Sequence, residues 1–204
     1  MKKLSIFFWV SLLSVCFIFN SCGNAKSDKK EDKQEHKIIK GEINANLFGV
    51  SFNTDRKTAE KILRKSNVSY NVIDKGLYQF EQRFNYWDLE FDLGQIWFEY
   101  DDSDKSPVTG IMMQKNFSNK YYSNPLQKAE EFYKMALFSV RRHYGKYETE
   151  PGEKRKDQYK GDIKYAYFTN KEIGIDLTIE KRLTEHGRDG FQVILVFYDE
   201  EHIL

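Results

Sequence analysis

Residues 124–145, NPLQKAEEFYKMALFSVRRHYG, decide how the rest of this sequence can fold. Asn124 is a good helix N-cap, Pro125 fits a first helical turn, and Gly145 is a residue at which helices commonly end. Apolar residues recur between them at helical spacing: Ala129, Phe132, Tyr133, Ala136, Val140 and Tyr144. This stripe predicts one amphipathic helix that packs against a sheet.

Strand-like patterns lie on both sides of this helix. On its N-terminal side they occupy residues 47–52, 70–73, 77–84, 87–93, 96–100 and 109–117, with a short amphipathic helix after residue 55. On its C-terminal side they occupy residues 163–169, 173–183 and 191–198. Short links between consecutive strands favour antiparallel pairing. We therefore predict an α+β fold with antiparallel sheet and two main helices, whose repeated order suggests two helix-plus-meander halves, 47–118 and 124–204.

The N-terminus has the pattern of an export signal. Met1-Lys2-Lys3 is positively charged and precedes an apolar run over residues 4–19. This run is shorter than the roughly 20 residues that span a bilayer, which favours a cleaved signal peptide at 1–21. The polar residues that follow predict a flexible charged tether at 22–42, before a single α+β domain at 43–204.

The end of the apolar run carries a resemblance to a known class of protein. Phe19-Asn20-Ser21-Cys22 resembles the lipobox of bacterial lipoproteins. The resemblance implies that Cys22 is lipidated, becomes the mature N-terminus and anchors the chain in the cell envelope, with the outer membrane as the expected location. The folded part resembles small α+β envelope lipoproteins in architecture only, and architecture does not carry a function.

Composition argues against several classes of chemistry. Cys16 lies in the predicted leader, so Cys22 is the only mature cysteine and no internal disulfide can form. Loss of Lys2 and Lys3 takes the formal net charge from +1 to about −1, without the basic excess that nucleic acid requires. The four histidines show no metal-ligand spacing, and we expect neither a metal nor a cofactor.

Aromatic residues suggest a partner surface. Trp97 is out of phase with Ile96 and Phe98, and Tyr121 and Tyr122 lie in the loop before the long helix. Exposed Trp and Tyr are favoured at interfaces because each combines an apolar body with a polar edge. The alternative is burial of these rings on both faces of a sheet, beneath helices.

A row of carboxylates offers a weak cation site. Asp88, Glu90 and Asp92 alternate with apolar residues over 87–93, which predicts one half-buried strand with the three carboxylates on one face at intervals of roughly 7 Å. Such a row could bind a cation or a basic partner. The alternative is an ordinary solvated face.

No recognisable set of catalytic residues accompanies these features. We therefore predict a noncatalytic, membrane-anchored binding or scaffold module, not an enzyme, whose partner is a protein or another envelope component. Two alternatives stay open: a hydrolase acting on envelope glycan or peptide, and an inhibitor or immunity-type lipoprotein.

Overall fold

The computed structural model describes residues 43–74, 76–99, 103–152, 156–159, 161–183 and 189–200, all within one compact unit, Ile38–Leu204. The predicted signal peptide, Cys22 and the tether lie outside these residues. His36, His186 and His202 lie outside them as well.

Both predicted helices are present. They are α1 at Arg56–Lys65 and α2 at Pro125–Tyr144. The Asp55 carboxylate caps α1 by accepting the backbone N–H of Thr58 at 2.9 Å, and Asn124 caps α2 through the N–H of Gln127 at 3.3 Å. The predicted apolar stripe of α2 is buried along its whole length. Among the described residues, neither helix is both long and apolar enough to cross a membrane.

Twelve strands accompany the helices in the described part of the chain. They are β1 Asn46–Leu47, β2 Val50–Ser51, β3 Asn71–Asp74, β4 Leu77–Phe80, β5 Phe84–Tyr86, β6 Leu89–Phe91, β7 Leu93–Phe98, β8 Val108–Ser118, β9 Glu148–Thr149, β10 Lys164–Thr169, β11 Ile173–Leu183 and β12 Asp189–Asp199. Eight of these strands form one antiparallel sheet in the order β3-β4-β7-β8-β12-β11-β10-β9, and the other four form two small hairpins.

The two predicted meanders meet through their last strands. β8 ends the first meander and β12 ends the second, and they pair over a register that runs from Gly110 opposite Tyr198 to Ser118 opposite Gly190. The strands before α2 and those after it therefore build one continuous sheet. The α+β class is confirmed.

One face of this sheet carries the hydrophobic core. Met113, Leu177 and Leu195 of the central strands are fully buried there. They belong to the same cluster as Leu63 of α1 and Phe132 of α2, so both helices cover this face. The core fixes the position of α2 and of the β5–β6 hairpin beside it.

The prediction of a single strand over residues 87–93 is wrong. The chain forms β5, turns at Trp87 and Asp88, and returns as β6. Both turn residues have positive φ, 50° at Trp87 and 64° at Asp88, as in the tight turns of two-residue hairpins. Trp-Asp lacks the Asn-Gly signature of such turns, and the alternating pattern continues through the turn into β6.

The prediction of one strand at residues 47–52 is also wrong. β1 and β2 form a second tight hairpin that turns at Phe48 and Gly49, where φ is 54° and 86°. The short alternation of apolar residues is shared between the two arms, which explains why it reads as one strand.

Candidate functional site between helix α2 and the β5–β6 hairpin

A surface groove of about 630 Å³ lies between α2 and the β5–β6 hairpin. The hairpin is held beside the helix because its Phe91 is fully buried and meets Phe132 of α2 edge to face, with ring centroids 5.4 Å apart. Leu89, also buried, lines the groove. Core packing therefore fixes the positions of the hairpin and the helix that form the groove.

Trp87 forms one edge of the groove. Its indole lies parallel to the imidazole of His143, with centroids 4.6 Å apart, and contacts Tyr144 and Phe197 at 5.7 and 5.9 Å. The left-handed backbone conformation is unusual for so bulky a residue and costs about 1 kcal/mol. The ring contacts offset this cost and hold the indole beside the opening.

The helix wall carries two apolar side chains that the core does not use. Met135 is 52% exposed and Phe138 is 70% exposed. Phe and Met are among the residues most often buried in folded proteins. Their exposure next to Trp87 produces an apolar surface in a concave site.

Positive charge borders this apolar surface. Lys134 and Arg142 are exposed and line the groove with His143, while Asp88 is the single acidic residue there. The Nδ1 of His143 lies 2.7 Å from the carbonyl oxygen of Ser139. Because a carbonyl only accepts, Nδ1 carries the hydrogen of this bond.

Trp97, the first residue of the predicted partner surface, lies on the other face of the sheet. It alternates with the buried Ile96 and Phe98 and is half-buried. Its ring lies over Gly110 of β8, and its Nε1–H donates to Oε1 of Gln95 at 3.2 Å. Trp97 is therefore not part of the groove.

The two tyrosines of the predicted partner surface differ in exposure. Tyr121 is 73% exposed, and the Nζ of Lys120 lies 5.2 Å from its ring centroid. Tyr122 is half-buried and packs on Phe117 with centroids 5.5 Å apart. Only Tyr121 is available to a partner, and neither residue lines the groove.

The three carboxylates of the predicted cation site do not share a strand. Asp88 lies in the hairpin turn, Glu90 on β6 and Asp92 in the bend before β7. The Nζ of Lys115 bonds both Glu90, at 2.8 Å, and Asp92, at 3.1 Å. Two of the three carboxylates therefore already hold a cation that belongs to the protein.

The electrostatics of this cluster follow from its geometry. The hydrogen bond and charge of Lys115 hold the pKa of Glu90 below its usual value. Burial alone would lower the pKa of Lys115, but hydrogen bonds to Glu90 and Asp92 raise it above its usual value. Across the residues described, no group of three or more His, Cys, Asp or Glu side chains is arranged to hold a metal ion.

A second cavity, of about 410 Å³, lies on the other side of α2, next to β9 and β10. Its arginine, Arg141, forms a two-pronged ion pair with Glu148 at 2.6 and 2.8 Å. The cation of this cavity is therefore paired, and Glu150 adds a second carboxylate to the lining, which distinguishes it from the basic groove at Trp87.

Comparisons with known proteins assign no family to the chain. No protein-family model, no curated protein and no solved structure matches it. The side chains of the groove are therefore the basis for a functional proposal.

Proposed function

We propose that the chain is a lipid-anchored protein of the bacterial envelope, and that its folded domain is a noncatalytic module that binds another envelope protein through the groove between α2 and the β5–β6 hairpin. The observation that carries the proposal is the exposure of Met135 and Phe138 beside Trp87.

Two physical arguments support a protein partner. Contiguous exposed apolar surface in a concave site is typical of binding sites, whereas scattered single residues are not. Trp and Arg dominate the energetic centres of protein interfaces, and Trp87 and Arg142 both line this groove.

The anchoring part of the proposal is supported by the sequence alone. Phe19-Asn20-Ser21-Cys22 provides the lipidation signal, and residues 23–42 provide a polar spacer. A coil of about 20 residues has an end-to-end distance on the order of 25 Å, enough to hold a domain clear of lipid headgroups.

Photo-crosslinking in the native cells tests the binding site. Benzoylphenylalanine replaces Met135, and the adducts are compared with and without a second change, Phe138→Ser. We expect a discrete adduct with one protein that disappears with Phe138→Ser, because that change removes the neighbouring apolar contact.

Val72→Ser is the matched control, since Val72 is 60% exposed but lies on the edge strand β3. It should leave the adduct intact. Adducts that survive Phe138→Ser, or that depend on Val72 instead, would contradict the groove as the binding surface.

Metabolic labelling with a lipid analogue tests the anchor. The wild type should be labelled and Cys22→Ala should not. Labelling of both proteins would remove Cys22 from the anchor.

A further inference from the structure

We infer that the partner presents an acidic, extended segment to the groove, in which an apolar side chain lies between two carboxylates. This inference rests on the proposed function, because it names the chemistry of the segment that the groove would bind.

The charges of α2 differ between the groove and the rest of the helix. Away from the groove, Lys128 pairs with Glu131 at 2.6 Å and Arg141 pairs with Glu148 at 2.6 Å. Within the described residues, the two groove cations, Lys134 and Arg142, form no such ion pair. The pKa values of Glu130 and Glu131 are lowered first by hydrogen bonds from Lys164 and Lys128, and further by the charge of Lys134. Lys134 therefore acts on both carboxylates at longer range, and the described residues give neither groove cation a direct ion pair beside the exposed apolar surface.

The spacing of these residues sets the pattern of the ligand. Lys134, Phe138 and Arg142 fall at i, i+4 and i+8, so they form one row along α2. With a rise of about 1.5 Å per residue, the two cations lie about 12 Å apart along the helix axis, with the phenyl ring midway.

An extended segment matches this spacing. Residues i, i+2 and i+4 of a strand point to the same side, and the outer two lie about 13 Å apart. The row therefore fits an acid-x-apolar-x-acid segment, in which the central side chain contacts Phe138 and each carboxylate meets one cation. Such pairs at a partly desolvated interface contribute to specificity more than to affinity.

A bilayer surface is the competing partner for a basic and apolar helix face. The concave shape of the groove favours a protein segment, because Trp87 and Leu89 of the hairpin line it together with the helix. Asp88, which also lines the groove, would repel a badly placed carboxylate, so it restricts where an acidic segment can lie.

Peptide binding to the full-length protein in detergent tests the inference. The probe is the acetylated and amidated peptide Gly-Glu-Ser-Leu-Ser-Glu-Gly, and its matched control has Lys in place of both Glu residues. Tryptophan fluorescence and calorimetry report binding. We expect the acidic peptide to bind at least tenfold more tightly than the basic one, with a preference that decreases as salt is raised.

A charge-reversed variant of the protein tests whether the groove cations cause the peptide preference. Lys134→Glu combined with Arg142→Glu should invert the preference, so that the basic peptide binds more tightly. Both side chains are exposed, so the fold should tolerate these changes. Asp88→Asn should strengthen binding of the acidic peptide severalfold.

Some results would overturn only the acidic-segment inference, and others would also count against the groove as the binding site. Equal binding of both peptides, or no binding of the acidic peptide at millimolar concentration, overturns the inference. Binding of anionic phospholipid vesicles without preference between the peptides overturns it in favour of a bilayer. Peptide binding that is selective but unchanged by Phe138→Ser overturns it too, and also counts against the proposed groove.

Discussion

The imidazole of His143 stacks on the indole of Trp87, with ring centroids 4.6 Å apart and an angle of 5° between the planes. The pair connects the tip of the β5–β6 hairpin to the last turn of α2. Both residues line the groove, so the pair contributes to its shape.

The stacked pair should show energetic coupling. Trp87→Ala should lower the free energy of unfolding by about 2 kcal/mol, since it removes contacts with Tyr144 and Phe197 as well. His143→Ala should lower it by about 1 kcal/mol, because it removes the same stacked contact. In the double variant the two effects should fall short of their sum by about 0.5–1 kcal/mol, as measured by urea unfolding.

Val72→Ala provides the control for this cycle, because Val72 lies on an edge strand away from the pair. Its effect should add to that of His143→Ala within about 0.5 kcal/mol. Strict additivity for Trp87 and His143 would mean that the stacked contact contributes nothing.

The ion cluster under the hairpin should be sensitive to pH. Lys115→Met leaves Glu90 and Asp92 without their shared cation and should lower the free energy of unfolding by about 2 kcal/mol at pH 7. The pKa of Glu90 is depressed in the folded protein, so its stabilising contribution is present above pH 4.5 and is lost as the pH falls through the folded-state pKa. The difference between wild type and variant should therefore shrink as the pH falls through the folded-state pKa of Glu90.

Lys128→Met is the matched control, since it breaks an exposed pair with Glu131. Lys128→Met should change the free energy of unfolding by less than about 0.5 kcal/mol both at pH 7 and at acidic pH. A pH-independent difference for Lys115→Met would show that lost packing, not lost charge, causes its effect.

Sequence was sufficient for the parts of the fold that local interactions determine. α2 was predictable because its cap, Asn124, and its apolar stripe lie within one segment. The order of strands was not, because the pairing of β8 with β12 joins residues such as Phe117 and Phe191 that are far apart in the chain. Period-2 patterns identify strands but do not identify their partners.

The groove was only partly visible in the sequence. Met135 and Phe138 fall outside the apolar stripe of α2, which marks them as apolar residues on the solvent side of a helix. The other wall was hidden, because the turn at Trp87 and Asp88 lacks the residues that normally signal a tight hairpin. Trp97, the tryptophan that the pattern did single out, lies on the opposite face of the sheet.

Asp162 should destabilise the protein near neutral pH. Burial, then the nearby charges of Glu180 and Asp176, raise its pKa to about 6. Because the unfolded value is about 3.9, the folded state holds the proton more tightly, and stability falls as the pH rises from about 4 to about 6. Asp162→Asn removes this effect and should stabilise the protein by about 1 kcal/mol at pH 7 after allowance for solvent screening, and by little at pH 4.

Thermal unfolding at the two pH values measures this difference. Glu150→Gln, a change at an exposed carboxylate, should alter stability little at either pH. If Asp162→Asn is equally stabilising at pH 4 and pH 7, the effect does not arise from ionisation of Asp162.

Replacing Gly110 by alanine should destabilise the protein only while Trp97 is present, because the indole ring lies over the glycine. A Cβ at residue 110 would overlap Cε3 of Trp97, so Gly110→Ala must displace the ring and should lower the free energy of unfolding by about 2 kcal/mol. In a Trp97→Ala background the space is open, and the same change should be neutral or stabilising by up to about 1 kcal/mol, because Gly in a strand is unfavourable relative to Ala.

Gly152→Ala is the control, since nothing lies within 4 Å of a Cβ there, and its effect should stay below about 0.5 kcal/mol in either background. Urea unfolding of the four combinations decides the matter, because equal costs of Gly110→Ala with and without Trp97 would show that the ring does not occupy that space.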